Sequence, residues 1–432
     1  MEEKRFIDLL NKELVKSLGC TEPIAITYAV AMARMQLDTS IIKKVTIKAS
    51  RNLIKNAMSV SIPGTTSYEI NLSSVLMAGA LGIIKPDIEK NLEILNDIKK
   101  SDIENAKELI SDGLINVELH DSKLKFYLEV IVETITSKAR VVIENSHTNV
   151  VLIEVDEEII KETPLIIHNQ SKNENMDFLD MHSILEFVDN VDLKELEIIE
   201  NSIDITKKIC EEGLNNSYGL NVGKNIESNM DNGFFSMDII SKAISLTAAG
   251  SDARMSGCTL PAISNSGSGN QGISATMPVV VVAEEMDIDK EKKVRAVALS
   301  NLVTIYLKSH LGRLSAMCGA IISSMGACCG ITFILGGKKR EIESALQIMM
   351  ANVTGMICDG AKSGCALKVS TCTYAAFQSA LLAVSGVSIS EKEGIIEKSL
   401  EKTIENFCVV ANTGMKEADK LILEMMMEKT YS

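Results

Sequence analysis

The chain has 432 residues, of which 46% are apolar, so it is long enough to form more than one hydrophobic core and is expected to fold as two domains. Its 58 acidic and 44 basic residues give a net charge of -14 without a basic stripe, which argues against a nucleic-acid partner. No run reaches about 18 apolar residues and the N-terminus starts with acidic residues, so we expect a cytoplasmic protein without a membrane span or signal peptide.

The first 175 residues mix helical and strand patterns. Apolar spacing predicts an amphipathic helix over residues 3–18, closed by Gly19, and a second helix that follows with Thr21 as its N-cap. Further helical patterns cover 69–83 and 102–112, and alternating or β-branched runs predict strands over 41–49, 123–136, 138–144 and 150–155. This part is therefore predicted to be an α/β domain with a mainly antiparallel sheet.

A polar, aperiodic stretch around residues 168–175 is the predicted domain boundary, which gives domains over 1–175 and 176–432. After it the strand patterns vanish, and helices are predicted over 178–188, 193–212, 234–248, 271–286, 290–309, 315–334, 338–356, 367–385 and 391–411. Several of these are apolar nearly all round, as expected at the centre of a bundle. The predicted fold class is α+β, with an N-terminal α/β domain and a C-terminal all-α helical domain.

Cysteines are concentrated in the second domain. The chain has ten, and without an export signal a disulfide framework is not expected. Cys318 and the segment 358–365, which reads C-D-G-A-K-S-G-C, are candidates for a metal or cluster site, because thiolates are the usual ligands of iron–sulfur clusters. The alternative is that each is a small buried hydrophobe. We assign the adjacent pair Cys328 and Cys329 to the core, because neighbouring residues of a helix face different directions.

A glycine-rich segment at residues 264–272 directly precedes a predicted helix. Backbone N–H groups at a helix N-terminus, together with polar side chains, favour an anion, so this segment could hold a substrate carboxylate. Its alternative is a flexible linker. The candidate substrate-binding residues of the segment are Ser266, Ser268, Gly269, Asn270 and Gln271.

Cys20 lies just before the second predicted helix. The helix dipole would favour its thiolate and suit a nucleophile or general base, whereas the alternative is a cysteine packed in a tight turn. Arg254 and Arg313 could pair with a carboxylate, or could form structural ion pairs. His147 and His168 end β-rich segments and could reach a cleft, although a lone histidine is more often simply hydrogen-bonded.

At these motifs the chain resembles the L-cysteine desulfidase family, relatives of the bacterial iron–sulfur serine dehydratases, over its whole length. The resemblance implies an oxygen-sensitive 4Fe-4S cluster held by Cys318, Cys358 and Cys365. Where serine dehydratases carry S-H-T, this chain has Cys20 and Thr21, which favours the desulfidase branch without excluding serine. The matching stretches are residues 19–25, 61–65, 147–149, 266–272, 318–320 and 358–368.

The resemblance implies α,β-elimination of L-cysteine to sulfide, ammonia and pyruvate. The substrate carboxylate would lie in the 264–272 segment near Arg254, its thiolate would bind the open iron of the cluster, and Cys20 would remove the α-proton.

Three other functions stay open at this point. The first is an L-serine dehydratase on the same cluster, the second a pyridoxal-phosphate lyase with Lys362 or Lys368 as Schiff base, and the third a non-enzymatic iron–sulfur sensor. The large apolar helical half suits a homodimer, but a monomer of this size also buries such helices.

Overall fold

The computed structural model describes residues 2–38, 41–64, 73–122, 124, 126–163, 176–312 and 315–431. Its strands are β1 (Leu14–Leu18), β2 (Ile42–Ala49), β3 (Ile115–Leu119), β4 (Tyr127–Thr134), β5 (Lys138–Glu144), β6 (Val150–Val155), β7 (Glu158–Glu162) and β8 (Pro261–Asn265). Its helices are α1 (Glu2–Glu13), α2 (Thr21–Met35), α3 (Arg51–Ala57), α4 (Ser73–Ile84), α5 (Lys100–Ser111), α6 (Met181–Asn190), α7 (Glu197–Asn215), α8 (Val222–Asp231), α9 (Ile239–Met255), α10 (Gly269–Glu285), α11 (Lys290–Leu311), α12 (Gly319–Ile334), α13 (Lys339–Val353), α14 (Cys365–Val384), α15 (Leu400–Val409) and α16 (Lys416–Tyr431). Short 3-10 segments lie at Ile88–Glu93 and Leu193–Leu196, and a π-helical turn at Val410–Gly414 joins α15 to α16.

The N-terminal part is built on a six-stranded sheet in the order β3-β2-β4-β5-β6-β7. The pair β2 and β3 is parallel, and the other neighbouring strands are antiparallel. Helix α2 packs on β4 and β5 and against α4. Because it lies between these elements, its residues are buried from Thr21 to Ala33. The α+β class and the mainly antiparallel sheet are confirmed.

The C-terminal part is a helical bundle with α12 at its centre. Helices α10, α11, α13 and α14 all pack on α12. The sequence of α12 is small and apolar on every face, and nearly all of its side chains are buried. Glycines allow the close packing, because a Cβ at Gly330 would lie 2.8 Å from the carbonyl oxygen of Ala296 on α11. Two helices of this part, α8 and α16, were not predicted from the sequence.

The first predicted helix is wrong over its last five residues. Helix α1 ends at Glu13, and Leu14–Leu18 forms strand β1, which pairs antiparallel with β8. The expectation that strands vanish after residue 175 is also wrong, because β8, the partner of β1, lies at Pro261–Asn265. The predicted boundary at 168–175 lies outside the described residues. Phe6 and Leu10 of α1 join the core of the helical bundle.

The β1–β8 pair joins two parts of the chain that are about 250 residues apart and that both carry candidate functional residues. Strand β1 leads directly to Gly19 and Cys20, and β8 leads directly to the 264–272 segment. Because the pair is antiparallel, Leu18 lies opposite Pro261 and Leu14 opposite Asn265, so the chain segments that lead to Cys20 and to Ser266 leave the pair at opposite ends. Among the described helices none is both long and apolar enough to cross a bilayer.

Candidate active site

Cys20, rather than Thr21, is the N-cap of α2. The hydroxyl of Thr21 instead donates to the carbonyl oxygen of Gly267 across 2.9 Å, which ties the start of α2 to the glycine-rich segment. Gly19 has φ +66°, and a Cβ there would lie 2.7 Å from Cγ of Pro63. A glycine is required at this position both by the left-handed backbone and by the close approach of Pro63.

The Cys20 thiol is buried and hydrogen-bonded. Its Sγ donates to Oε2 of Glu22 across 3.1 Å, and the thiol is only 3% exposed. Burial, followed by the negative charge of Glu22, raises the pKa of Cys20 well above its ordinary value. Burial therefore favours the protonated thiol, whereas the sequence-based expectation is that the helix dipole favours the thiolate.

Arg254 is a buried cation near the end of α9. Its guanidinium is 3% exposed, donates from Nη1 to Sδ of Met255 across 3.3 Å, and leaves Nε without a hydrogen-bond partner. No ion pair of Arg254 with a carboxylate is present within the described ranges. Its positive charge lowers the pKa of Cys20 and of Glu22, so these groups are electrostatic neighbours. A buried guanidinium with a free donor is suited to bind a carboxylate.

The glycine-rich segment is a tight turn followed by a helix start, not a flexible linker. Ser266 and Gly267 have φ +50° and +86°, and the turn is closed by backbone hydrogen bonds between Asn265 and Ser268 of 3.0 and 3.1 Å. The hydroxyl of Ser266 is engaged, because it donates to Oδ1 of Asn265 across 2.9 Å. Ser268 is the N-cap of α10, which begins at Gly269. The predicted helix start is confirmed.

Several polar atoms around this turn are buried without a partner. Oδ1 of Asn270 and Oε1 of Gln271 accept no hydrogen bond, and the hydroxyls of Ser61 and Ser256 have no partner either. Buried polar atoms are normally paired, so buried atoms without a partner suit a bound polar ligand. Gln271 also extends towards the cysteines, since a Cβ at Gly319 would lie 3.2 Å from its Oε1.

Three cysteines converge where α12 and α14 begin. Cys318 is the N-cap of α12 and Cys365 is the first residue of α14. An isolated antiparallel bridge aligns the loops, with Cys318 N donating to Met356 O across 3.1 Å and Cys358 N to Ala316 O across 2.7 Å. Burial raises the pKa of Cys318, and the charges of Cys358, Cys372 and Cys365 raise it further, which places these thiols close together.

The donor atoms of the three cysteines suit an iron–sulfur cluster, because thiolates are the usual ligands of such clusters. No group of three or more His, Cys, Asp or Glu side chains in the described part of the chain is arranged to hold one ion. Cluster ligands are wider apart than the ligands of one ion, because the iron and sulfide atoms lie between them. The donors of Cys318, Cys358 and Cys365 are thiols only, and all ten cysteines of the chain are free. Cys372, two turns along α14 from Cys365, is a neighbour that the sequence pattern did not indicate.

The lysines of the cysteine loop are already engaged. The ammonium groups of Lys362 and Lys368 both bind the carboxylate of Asp359, and Lys368 also donates to the carbonyl oxygen of Ile357 across 2.7 Å. Burial alone would lower the pKa of Lys368, but Asp359 and the nearby cysteines outweigh burial and raise it. The structure therefore keeps this amine protonated, which does not suit a Schiff-base lysine.

The Cys20 region and the cysteine loop meet. Cys20, Val60 and Met255 form a small buried cluster, against which Ala361 and Cys365 pack. The side chain of Lys55, only 2% exposed, reaches the same loop and donates to the carbonyl oxygen of Cys358 across 3.3 Å. The sequence-predicted residues Cys20, Arg254, 264–272, Cys318, Cys358 and Cys365 are thus brought to one region, whereas Arg313 and His168 lie outside the described residues.

Sequence reasoning did not assign a role to Glu22, Lys55 or Cys372. Glu22 is only two residues from Cys20, in the first helical turn, where an acidic residue normally stabilises the helix dipole from the surface. Nothing local indicates that it is buried. Lys55 belongs to a short, partly polar helix, so its burial was equally hidden.

Comparison with known proteins gives a consistent result. A model of the family "Serine dehydratase alpha chain" matches residues 89–424, a range that contains Arg254, the 264–272 segment and the three cysteines. A "UPF0597 protein" of Clostridium perfringens is 42% identical over 425 residues, covering 98% of both chains. A protein of the same name from Oleidesulfovibrio alaskensis is 39% identical over 428 residues, covering 99% of both chains. Another from Bacteroides thetaiotaomicron is 38% identical over 429 residues, covering 99% of this chain and 98% of that protein.

Proposed function

The chain belongs to the serine dehydratase alpha chain family, and from this premise we propose that it is a lyase, more specifically an oxygen-sensitive L-cysteine desulfidase that forms sulfide, ammonia and pyruvate. The observation that carries the proposal is the meeting of Cys20 with the cysteine loop around Met255, next to Arg254, whose Nε has no hydrogen-bond partner. A thiol, a cation without a carboxylate and a set of cluster ligands are thereby combined in one buried site.

The substrate carboxylate is assigned to Arg254 and the start of α10. Arg254 offers an unpaired Nε, and the first backbone N–H groups of α10 add the positive end of the helix dipole. The unpaired side-chain oxygens of Asn270 and Gln271 are acceptors, so they suit the substrate ammonium group rather than its carboxylate. The site therefore matches both charges of an α-amino acid.

Cys318, Cys358 and Cys365 are the residues that would hold the 4Fe-4S cluster. With three protein thiolates, such a cluster supplies an open iron, which acts as a Lewis acid towards the sulfur of the substrate. The bridge between the two cysteine loops, and the two helix starts that bear Cys318 and Cys365, hold these thiols on rigid elements.

Cys20 is proposed to accept the α-proton. Burial keeps Cys20 protonated, so the thiol must first release its own proton; the resulting thiolate is a strong base because its pKa is raised, and its sulfur belongs to the cluster of side chains against which Cys365 packs. Once the Cα–H bond is broken, the electron pair forms the Cα–Cβ double bond and the Cβ–S bond breaks. The resulting aminoacrylate takes up water and yields pyruvate and ammonia.

The alternatives are less well supported. A pyridoxal-phosphate lyase would need a neutral Lys362 or Lys368, yet Asp359 binds both ammonium groups. A sensor would not need the unpaired polar atoms around Arg254. An L-serine dehydratase would use the same residues. It would differ only in the leaving group, which is water for L-serine and sulfide for L-cysteine. The reducing cytoplasm suits a protein with ten free thiols, and this location is part of the proposal.

The test is anaerobic reconstitution with iron and sulfide, followed by a visible spectrum and by sulfide and pyruvate assays on L-cysteine beside L-serine. We expect a brown protein that releases equal amounts of sulfide and pyruvate from L-cysteine, and that loses both colour and activity in air. A brown protein that acts on L-serine alone would replace the desulfidase by a dehydratase. A colourless protein with full activity would refute the cluster.

A further inference from the structure

Glu22 forms a buried network around the Cys20 thiol that the proposed reaction does not yet use. We infer that Glu22 is a positioning residue for Cys20, with Asn56 and His147 holding its carboxylate in place. This inference rests on the proposed function, in which Cys20 accepts the α-proton. It adds a residue that acts on the substrate only through Cys20.

The Glu22 carboxylate receives donors on both oxygens. Oε2 accepts from the thiol of Cys20 across 3.1 Å and from the hydroxyl of Thr21 across 3.2 Å. Oε1 accepts from the amide of Asn56 across 3.3 Å, and Nε2 of His147 lies 4.0 Å from it. Three different parts of the chain therefore converge on one carboxylate that is only 8% exposed.

His147 is directed into this network although the structure gives it no bond of its own there. Its side chain is buried, in the turn between β5 and β6, and its ring lies edge-on to Phe126 with the centroids 4.8 Å apart. Its Nε2 has no hydrogen-bond partner. A buried ring nitrogen without another partner, 4.0 Å from Oε1 of Glu22, is placed to support this carboxylate.

The network determines the direction of the Cys20 S–H bond. The other acceptor near the thiol, the carbonyl oxygen of Asn56, is 4.0 Å away, so the Glu22 carboxylate is the strong partner. The Glu22 carboxylate is thus the acceptor placed to take the thiol proton, and the thiolate that remains presents its sulfur to Val60, Met255 and the cysteine loop, where it can accept the α-proton. Proton transfer is sensitive to such alignment, because a misplaced group loses its near-attack geometry.

A purely structural role for Glu22 is the competing explanation. An acidic residue in the first turn of a helix stabilises that helix by a few tenths of a kcal/mol to about 1 kcal/mol. Such a role would make Glu22 matter for stability but not for the thiol. The two explanations therefore differ in what they predict for the chemistry of Cys20.

The kinetic test is Glu22→Gln in the reconstituted protein. This change keeps the size of the side chain and removes its charge, and we expect kcat for L-cysteine to fall roughly 100-fold with a much smaller change in KM. The matched control is Glu129→Gln, a carboxylate of the same domain that is also buried, at 6% exposed, and that binds Lys48 and Arg140 away from the site. The control should alter stability but leave kcat unchanged.

The second readout is the infrared S–H stretching band of Cys20, which needs no turnover. The band is isolated by difference spectra. The spectrum of Cys20→Ala is subtracted from that of the wild type, and the spectrum of the double variant with Cys20→Ala and Glu22→Gln is subtracted from that of Glu22→Gln. In Glu22→Gln, loss of the carboxylate acceptor should shift the band to higher frequency. In Glu129→Gln the band should stay where it is in the wild type. Either an unmoved band or an unchanged kcat in Glu22→Gln would overturn the inference.

The two readouts separate this inference from the proposed function. If the reconstituted wild type releases no sulfide from L-cysteine, the desulfidase proposal fails, whereas the infrared band still decides whether Glu22 orients the thiol. A shifted band supports that role, and an unshifted band refutes it. If sulfide is released and Glu22→Gln retains wild-type kcat, the desulfidase stands and the positioning role is rejected.

Discussion

Arg254 lies directly against Gly269, the first residue of α10. A Cβ built on Gly269 would lie 2.8 Å from Cδ and 2.9 Å from Cζ of Arg254, closer than real side-chain atoms approach each other. The guanidinium therefore occupies the space that any other residue at position 269 would fill. The positive end of the α10 dipole and the buried cation are thus placed side by side.

Gly269→Ala should displace Arg254 and weaken the binding of the substrate carboxylate. Because a hydrogen bond to a charged group contributes about 1.5–3 kcal/mol, we expect KM for L-cysteine to rise ~10- to 100-fold while the cluster spectrum is retained. Steady-state kinetics of the reconstituted protein measure this. The matched control is Gly414→Ala, since a Cβ at Gly414 would have no atom within 4 Å. Equal KM values for the two variants would contradict the assignment of Arg254.

Cys20→Ala should retain the cluster and lose turnover. If Cys20 accepts the α-proton, kcat should fall at least ~100-fold, because general-base catalysis contributes ~10²- to 10⁴-fold. The control is Cys210→Ala. This change also removes a buried thiol, but from α7, which carries none of the proposed site residues. Visible spectra and sulfide assays on both variants decide the matter. Full turnover in Cys20→Ala would rule out its role as the base.

The ligand set can be tested one thiol at a time. Each of Cys318→Ser, Cys358→Ser and Cys365→Ser should abolish the brown colour and the sulfide release, because each substitution removes one of three proposed ligands. Cys372→Ala is the matched control, since Cys372 is buried on the same helix as Cys365 and its charge also acts on Cys318. We expect Cys372→Ala to stay brown and active. Loss of colour in Cys372→Ala would show that four thiols are needed and would remove the open iron.

Lys55→Met should loosen the cysteine loop. The ammonium of Lys55 binds the carboxylate of Asp419 and donates to the carbonyl oxygen of Cys358, and its removal leaves both without this cation. Breaking such a pair should cost about 2–3 kcal/mol in the free energy of unfolding, because Asp419 is partly exposed. The cluster colour should also fade faster in air.

The control for Lys55 is Lys90→Met. Lys90 pairs with Asp87 and Asp97 at the surface, so its loss should destabilise the protein far less than the loss of Lys55. Denaturant titration under anaerobic conditions compares the two variants. Equal decreases in the free energy of unfolding for the two variants would show that the buried Lys55 contact stabilises the protein no more than a surface ion pair does.

Asp252 should make the stability of the fold depend on pH. It is 1% exposed, its Oδ2 accepts from Gly223 N across 3.0 Å, and burial raises its pKa to about 7 despite the hydrogen bonds it accepts. Because the folded protein binds this proton more tightly than the unfolded chain, the stabilisation is complete below the unfolded pKa and is lost as the pH rises through about 7.

Asp252→Asn removes this titration. The difference in the free energy of unfolding, wild type minus variant, should therefore fall by up to roughly 4 kcal/mol between about pH 4 and pH 8. Urea titrations of both proteins at several pH values measure this difference. A difference that is constant with pH would show that Asp252 is ionised equally in the folded and unfolded chains.

Local patterns in the sequence determined much of this protein. The β-branched runs predicted β5 and β6 at their observed bounds, the glycine-rich segment predicted the start of α10 closely, and the small apolar residues of 316–335 predicted the central helix α12. These features follow from side-chain period and backbone freedom within a few residues. The motif residues around Cys20 and the C-D-G-A-K-S-G-C segment also carried the family resemblance.

Only the tertiary structure decided how these parts are combined. Leu14–Leu18 continues an amphipathic helical pattern, yet it forms a strand because β8, almost 250 residues later, offers its backbone as a partner. The burial of Glu22 beside Cys20, the proximity of Cys372 to Cys318 and the contact of Arg254 with Gly269 depend on the same kind of long-range packing. Such contacts leave no local periodicity, because the free energy that selects them is gained between segments distant in the chain and not within any one of them.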